Sequence, residues 1–270
     1  MKRFLYLSSL VLLLVVVGCG GSTIMGGLPP SPTPTPAGSG MNGNFGMSAV
    51  STGPDIFSIG GAFQTANGSV TGTVRVDSST SKCFDFFTPL TFAGTISSDD
   101  HLSMTSSSFQ SQTINVTGVL SSDGKSISGG TFLVIGGCGS GIHGTLSGFQ
   151  VPTVNGTFSG SFMAGGATIG MVATLTQGNS PNNFLLSGTA NFSNGSACGL
   201  TTGKFVGGET GFIAGADVRA MMLDPSLVPE AFFGGFISDG TGKTINGALT
   251  INSGPCSGTS IPITLTMVLT

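Results

Sequence analysis

Charge is what this chain has least of. Of 270 residues only 7% are charged, 8 Lys and Arg against 11 Asp and Glu, where an ordinary soluble domain carries about 25%. A basic nucleic-acid binder is excluded on that count, and few acids, bases or metal ligands remain for catalysis. Trp is absent and the one Tyr is Tyr6, near the amino terminus. Binding hot spots lean on Trp, Tyr and Arg, and downstream of residue 18 only Arg75 and Arg219 remain of these types. Without Trp or Tyr there are also no aromatic girdles of the kind that flank a membrane-spanning barrel. Disorder is excluded as well, because the chain is 39% hydrophobic with a net charge of −3, the reverse of a disordered composition.

Long apolar runs are missing too, apart from the first. Lys2 and Arg3 precede a stretch from Phe4 to Val17, interrupted by Tyr6, Ser8 and Ser9, which is shorter than the roughly 20 residues of a membrane span. A basic start followed by such a run reads as a signal peptide over residues 1–18. Without Lys2 and Arg3 the remainder holds 6 basic and 11 acidic residues, a balance of −5.

Residues 20–40 are Gly, Ser, Thr and Pro, including Pro29-Pro30-Ser31-Pro32-Thr33-Pro34-Thr35-Pro36. Such a composition buries no core and favours extended polyproline geometry, a stalk of up to roughly 60 Å.

From Met41 onward the sequence repeats. Gly118-Val119-Leu120-Ser121-Ser122-Asp123-Gly124-Lys125, followed by Cys138, parallels Gly234-Gly235-Phe236-Ile237-Ser238-Asp239-Gly240 with Lys243, followed by Cys256. Thr71-Gly72-Thr73-Val74-Arg75-Val76 with Cys83 parallels Ser187-Gly188-Thr189-Ala190-Asn191-Phe192 with Cys198. This divides the chain into units 41–151 and 152–270, each of ordinary domain length. The four cysteines Cys83, Cys138, Cys198 and Cys256 allow three pairings. Matched positions favour Cys83 with Cys138 and Cys198 with Cys256, since a duplicated domain carries its staple with it. None has a Cys or His at metal-ligand spacing, so no metal is expected.

Both units alternate with period two. Val70, Gly72, Val74 and Val76 share one face, as do Ile114, Val116, Gly118 and Leu120; Phe184, Leu186, Gly188, Ala190 and Phe192; and Ile261, Ile263, Leu265, Met267 and Leu269. Asn67-Gly68, Asp123-Gly124, Asn194-Gly195 and Asp239-Gly240 are hairpin signals between such runs. The fold expected is all-β: two tandem antiparallel meanders of about eight strands, each a small barrel, with a β-sandwich as the alternative. An eight-stranded barrel is just wide enough for side chains or one small ligand.

One stretch departs from this pattern. Asp217 to Glu230 reads as a helical turn capped by Asp217 and stopped by Pro225. Its Met221, Met222 and Leu223 are the candidate lid or contact loop; a plug at one barrel end is the plainer reading.

Motifs of chemistry are thin. Gly139-Ser140-Gly141-Ile142-His143-Gly144 matches G-x-G-x-x-G but lies between alternating strands, not before a helix. Ser122-Asp123-Gly124-Lys125 and Ser79-Thr80-Ser81-Lys82 match S-x-x-K in turn-like settings. Asp99-Asp100-His101 is the one acid and imidazole cluster, and His143 stands alone. No catalytic residue and no cofactor are assigned.

Val16-Val17-Gly18-Cys19 resembles the lipobox of bacterial lipoproteins. That resemblance implies cleavage before Cys19 and acylation of both its thiol and its new amino group, more than the two signals that stable anchoring takes. Gly20, where an inner-membrane retention signal has Asp, implies the outer membrane. Lipobox, Pro/Thr stalk and duplicated Cys-bearing β domains together make the chain similar to a group of exported Gly/Ser/Thr-rich lipoproteins of acidobacterial type. The chain departs from that pattern at Phe158, where Trp is the common residue. The resemblance implies no activity. It leaves an envelope scaffold or adhesive module as the expected role, with the membrane and an envelope partner as contacts. A lipocalin-like carrier of a small apolar ligand is the alternative.

Overall fold

Among the described residues, period-two alternation and glycine-rich turns resolve into antiparallel β-sheet with one short 3-10 turn, Gly195–Cys198. The computed structural model describes residues 39–78, 83–86, 88–178, 185–205, 211–238 and 240–268. Cys19, most of the stalk, the Ser79 to Lys82 match, Phe184, Asp239 and Leu269 lie outside the described residues.

The first unit contains β1 (Gly43–Ser51), β2 (Ile56–Ala66), β3 (Ser69–Ser78), β4 (Leu90–Ile96), β5 (His101–Ser106), β6 (Gln112–Leu120), β7 (Ser126–Gly136) and β8 (His143–Gln150). Each strand pairs with its sequence neighbour, and β8 returns to β1, closing an eight-stranded barrel. Asn67 and Gly68, with φ of 51° and 75°, make the β2–β3 connection a two-residue turn whose twist matches the strands.

The second unit contains β9 (Asn155–Ala164), β10 (Ala167–Gln177), β11 (Leu186–Ser193), β12 (Gly203–Phe205), β13 (Gly211–Ala214), β14 (Asp217–Leu223), β15 (Pro229–Ile237), β16 (Thr244–Ile251) and β17 (Ser260–Met267). Its nine strands run in the order β12, β11, β10, β9, β17, β16, β15, β14, β13. Lys204 and Phe205 of β12 also pair with Leu223 and Met222 of β14. That pairing closes a ring of eight and leaves β13 as an added strand on β14. Strand for strand the two rings correspond, and β13 is the element the first unit lacks.

Inward positions follow the alternation. Val70, Val74 and Val76 of β3, Ile114, Val116 and Leu120 of β6, and Ile261, Ile263 and Leu265 of β17 are all buried. In the first barrel Phe45 meets Phe63 edge to face at 6.1 Å, and Phe57 meets Phe84 at 5.9 Å and Phe132 at 5.4 Å. A Cβ on Gly72 would stand 2.4 Å from the Phe63 ring, so the glycine on that face makes room for a phenyl group. In the second barrel Phe158, Met171, Leu186, Met222, Phe233 and Leu249 share one buried cluster.

The helical turn expected at Asp217 is corrected. Residues 217–223 are β14: Val218, Ala220 and Met222 are buried while Asp217, Arg219, Met221 and Leu223 are half-buried. Asp217 pairs with Phe236 rather than capping a helix, and Pro225 lies in the turn to β15. Three strands, β12, β13 and β15, pair with β14, and those ladders override a weak local preference. Met221, Met222 and Leu223 are therefore barrel wall, with Met222 fully buried, and not a lid.

Candidate functional site

Charged side chains are scarce, so where Arg75 and Arg219 fall is informative. Both stand where the barrels meet, within the compact unit Pro36–Thr270. β13 is buried along its whole length. Ile213 belongs to the core of the second barrel, while Phe212 and Ala214 pack with Phe86, which lies between β3 and β4 of the first. The Arg75 guanidinium of β3 stacks 3.9 Å from the centre of the Phe212 ring, Phe212 lies 5.6 Å from Phe86, and Arg219 of β14 sits 5.0 Å over Phe86. The order Arg75, Phe212, Phe86, Arg219 alternates between barrels, each supplying one cation and one ring. Contacts of this kind contribute about 0.5–2 kcal/mol each, more when desolvated.

The backbone is read just as closely. Asn44 is buried, and its amide donates to the Gly215 carbonyl at 2.8 Å while its oxygen accepts from the Gly215 N–H at 2.9 Å. Gly215 has φ of 63°, which favours glycine. A Cβ there would lie within 3.0 Å of Gly46 and Gly60, and a Cβ on Gly60 would lie 2.2 Å from the Ala214 carbonyl oxygen. The β13–β14 turn thus seats on the outer face of β1 and β2 at a separation that only glycines permit.

Asp217 completes the junction. The Ser58 hydroxyl donates to its carboxylate at 3.1 Å. Burial pushes the Asp217 carboxyl above its ordinary range, against the opposing pulls of the Ser58 hydrogen bond and Arg219, and Asp77 adds to the rise.

The disulfides join Cys83 to Cys138 and Cys198 to Cys256, closing separations of 55 and 58 residues. Two buried polar side chains hold the neighbouring loops. Gln112 donates to the Cys83 carbonyl and accepts from the Gly139 N–H at 3.1 Å. Glu230 accepts from the Thr201 N–H and hydroxyl. The Gly139 to Gly144 match lies in the turn from β7 into β8, a strand, and holds no helix for a phosphate.

The acid and imidazole cluster is a solvated hairpin. His101 Nε2 lies 3.5 Å from Asp99, with side chains 65% and 71% exposed. The Ser97 hydroxyl holds the Asp99 carboxyl below its usual range, and His101 adds only a minor part. His143, exposed, shares its Nδ1 with the Gly141 carbonyl at 2.9 Å. It follows the β7–β8 turn, at the opposite end of the barrel from the β4–β5 turn beside His101, so the structure does not bring the two imidazoles together.

Sequence reading missed the junction residues Asn44, Phe86, Phe212, Asp217 and Arg219. The available signal was the scarcity of arginine: only Arg75 and Arg219 follow Arg3 in the whole chain.

No protein-family model and no curated protein matches the sequence. Among solved structures the chain is similar to a protein of unknown function from the DUF3598 family of Nostoc punctiforme, at 10% identity over 87% of this chain and 97% of that one. The TM-score is 0.28, and a likeness at that level carries no argument.

Proposed function

We propose that the chain is a lipid-anchored protein of the cell envelope, acylated at Cys19, whose two barrels act as a non-enzymatic scaffold or adhesive module at the outer membrane. One observation carries the scaffold half of this reading. The arginines and the half-buried Asp217 hold one barrel to the other instead of converging on a reaction centre. The anchoring half rests on Val16-Val17-Gly18-Cys19 and the Pro/Thr stalk behind it. The chain enters the first barrel where Ser39 donates to Asp100 at 2.6 Å and to the Ser122 carbonyl at 2.8 Å. These contacts put Ser39, the first described residue, at the end bearing the β4–β5 and β6–β7 turns. The phenyl groups inside the first barrel support a filled interior over a carrier's ligand chamber.

The test is metabolic labelling with a radioactive or alkyne-bearing palmitate in a bacterial host, comparing the natural chain with Cys19→Ser. Label on the natural chain, lost with release from the membrane fraction in the variant, is the expected outcome. An unlabelled natural chain overturns the anchoring.

A further inference from the structure

In the first barrel the first and last strands are joined along seven residue pairs, from Phe45↔Gln150 to Ser51↔Gly144. In the second barrel the equivalent seam has two, Thr266↔Ser159 and Met267↔Phe158. Sequence limits how far that seam can extend. Val268 N–H donates to the Thr157 carbonyl, so by alternation positions 266, 264 and 262 of the same strand turn their backbone groups toward β9. Position 262 is proline, which has no N–H to give. The ladder stops short of it, and the outer surface dips into a groove of about 750 Å³ over the seam.

The groove is uncharged, and polar apart from Pro262 and Ile263. Ser159 and Ser161 of β9, Asn246 of β16, and Thr264 and Thr266 of β17 line it, with Gly160 and Gly247 leaving bare backbone between them. The Thr264 hydroxyl donates to Asn246 Oδ1 at 2.8 Å, which orients the carboxamide and leaves its N–H end as a donor. Phe236, 52% exposed, pairs directly with Asn246 across β15 and β16. Phe236, Asn246 and Thr264 therefore stand in a row across two strand boundaries, with Ser161 on the far side of the groove. A second hollow of about 380 Å³ shares Ser159 and Gly160 and extends the depression over β10 and β11, where Met171, Val172 and Phe192 give it an apolar floor beside Asn191 and Ser193.

From this arrangement we infer that the outer face of the second barrel binds a neutral oligosaccharide, with Phe236 against a sugar's C–H face and the hydroxyl and carboxamide groups on its hydroxyls. The absence of charge in the lining disfavours anionic polymers, and the hydroxyl and carboxamide groups over the seam disfavour lipid there, while the apolar floor of the second hollow offers a further surface to a sugar's C–H face. An added peptide strand has no room within the seam, because a Cβ on Gly160 would already meet the Thr264 carbonyl oxygen at 2.3 Å. Shallow open grooves with hydrogen-bonding walls and one aromatic face suit extended, hydroxyl-rich ligands. The inference deepens the adhesive side of the proposed function and rests on it.

The test is isothermal titration calorimetry of the full-length chain in detergent micelles with cellohexaose, maltohexaose and chitohexaose, and an oligogalacturonate as the anionic comparison. Saturable heat with at least one neutral sugar, weakened about tenfold or more by Phe236→Ala and by Thr264→Val, is the expected result. Phe236 and Thr264 are exposed, so both variants keep the barrel, and a melting curve checks this. No saturable heat with any neutral sugar, binding of the oligogalacturonate alone, or binding indifferent to both variants overturns the inference. Chromatography of the same mixtures separates the two claims: cleaved sugar contradicts the non-enzymatic reading, whereas silence in the calorimeter contradicts the groove alone and leaves the anchoring intact.

Discussion

Asp217 is a carboxylate that the fold holds at a disadvantage. Burial at the junction raises its proton affinity above the ordinary value of 3.8, so the folded chain binds that proton more tightly than the unfolded one. Stability from this group is therefore greatest at low pH and falls as pH rises from 3.8 through the folded value. Asp217→Asn is expected to melt higher than the natural protein at neutral pH, with the advantage vanishing below 3.8. Melting curves across that range check it, and a variant less stable at neutral pH would mean that Arg219 outweighs desolvation. Phe57 makes a plainer case. It is fully buried between Phe84 and Phe132, and Phe57→Ala is expected to cost about 3–5 kcal/mol by denaturant titration.

At the scale of elements, alternation showed β3, β6, β11 and β17 in the sequence because one face of each meets a core and the other meets water. β14 was misread for a physical reason. Its inward positions are Val218, Ala220 and Met222, a modest apolar face, and the Asp and Pro at its flanks imitate a cap and a stop. What makes it a strand is pairing with β12, β13 and β15, and no local pattern carries that information. The staples were legible because duplication repeated them. Each closes a long loop, worth about 4 kcal/mol in the chain-entropy account. Replacing Cys198 and Cys256 together by Ala is expected to lower stability by roughly that amount, read by chemical denaturation under oxidising conditions, and a loss under about 1 kcal/mol would show that the reduced chain is already held compact.

On the scale of the molecule, β13 and its turn make two repeats into one body. That junction was hidden from sequence reading because its partners lie far apart: Asn44 and Gly215 are 171 residues distant. Contacts of this kind predict a single cooperative unfolding transition for both barrels. Gly60→Val, which drives a side chain into the Ala214 carbonyl, combined with Phe212→Ala, is expected to split the transition in two, as followed by calorimetry. A natural protein already unfolding in two steps would mean that the junction contributes little.

Lipid anchoring, stapling and filled barrels are all read at once in the intact mass of the full-length chain, expressed in a host with lipoprotein-processing enzymes and released gently from detergent in the mass spectrometer. The mass predicted is that of residues 19–270 with three acyl chains and two disulfides, and nothing bound inside. An unacylated mass, or a persistent small apolar adduct on the folded protein, would contradict that reading.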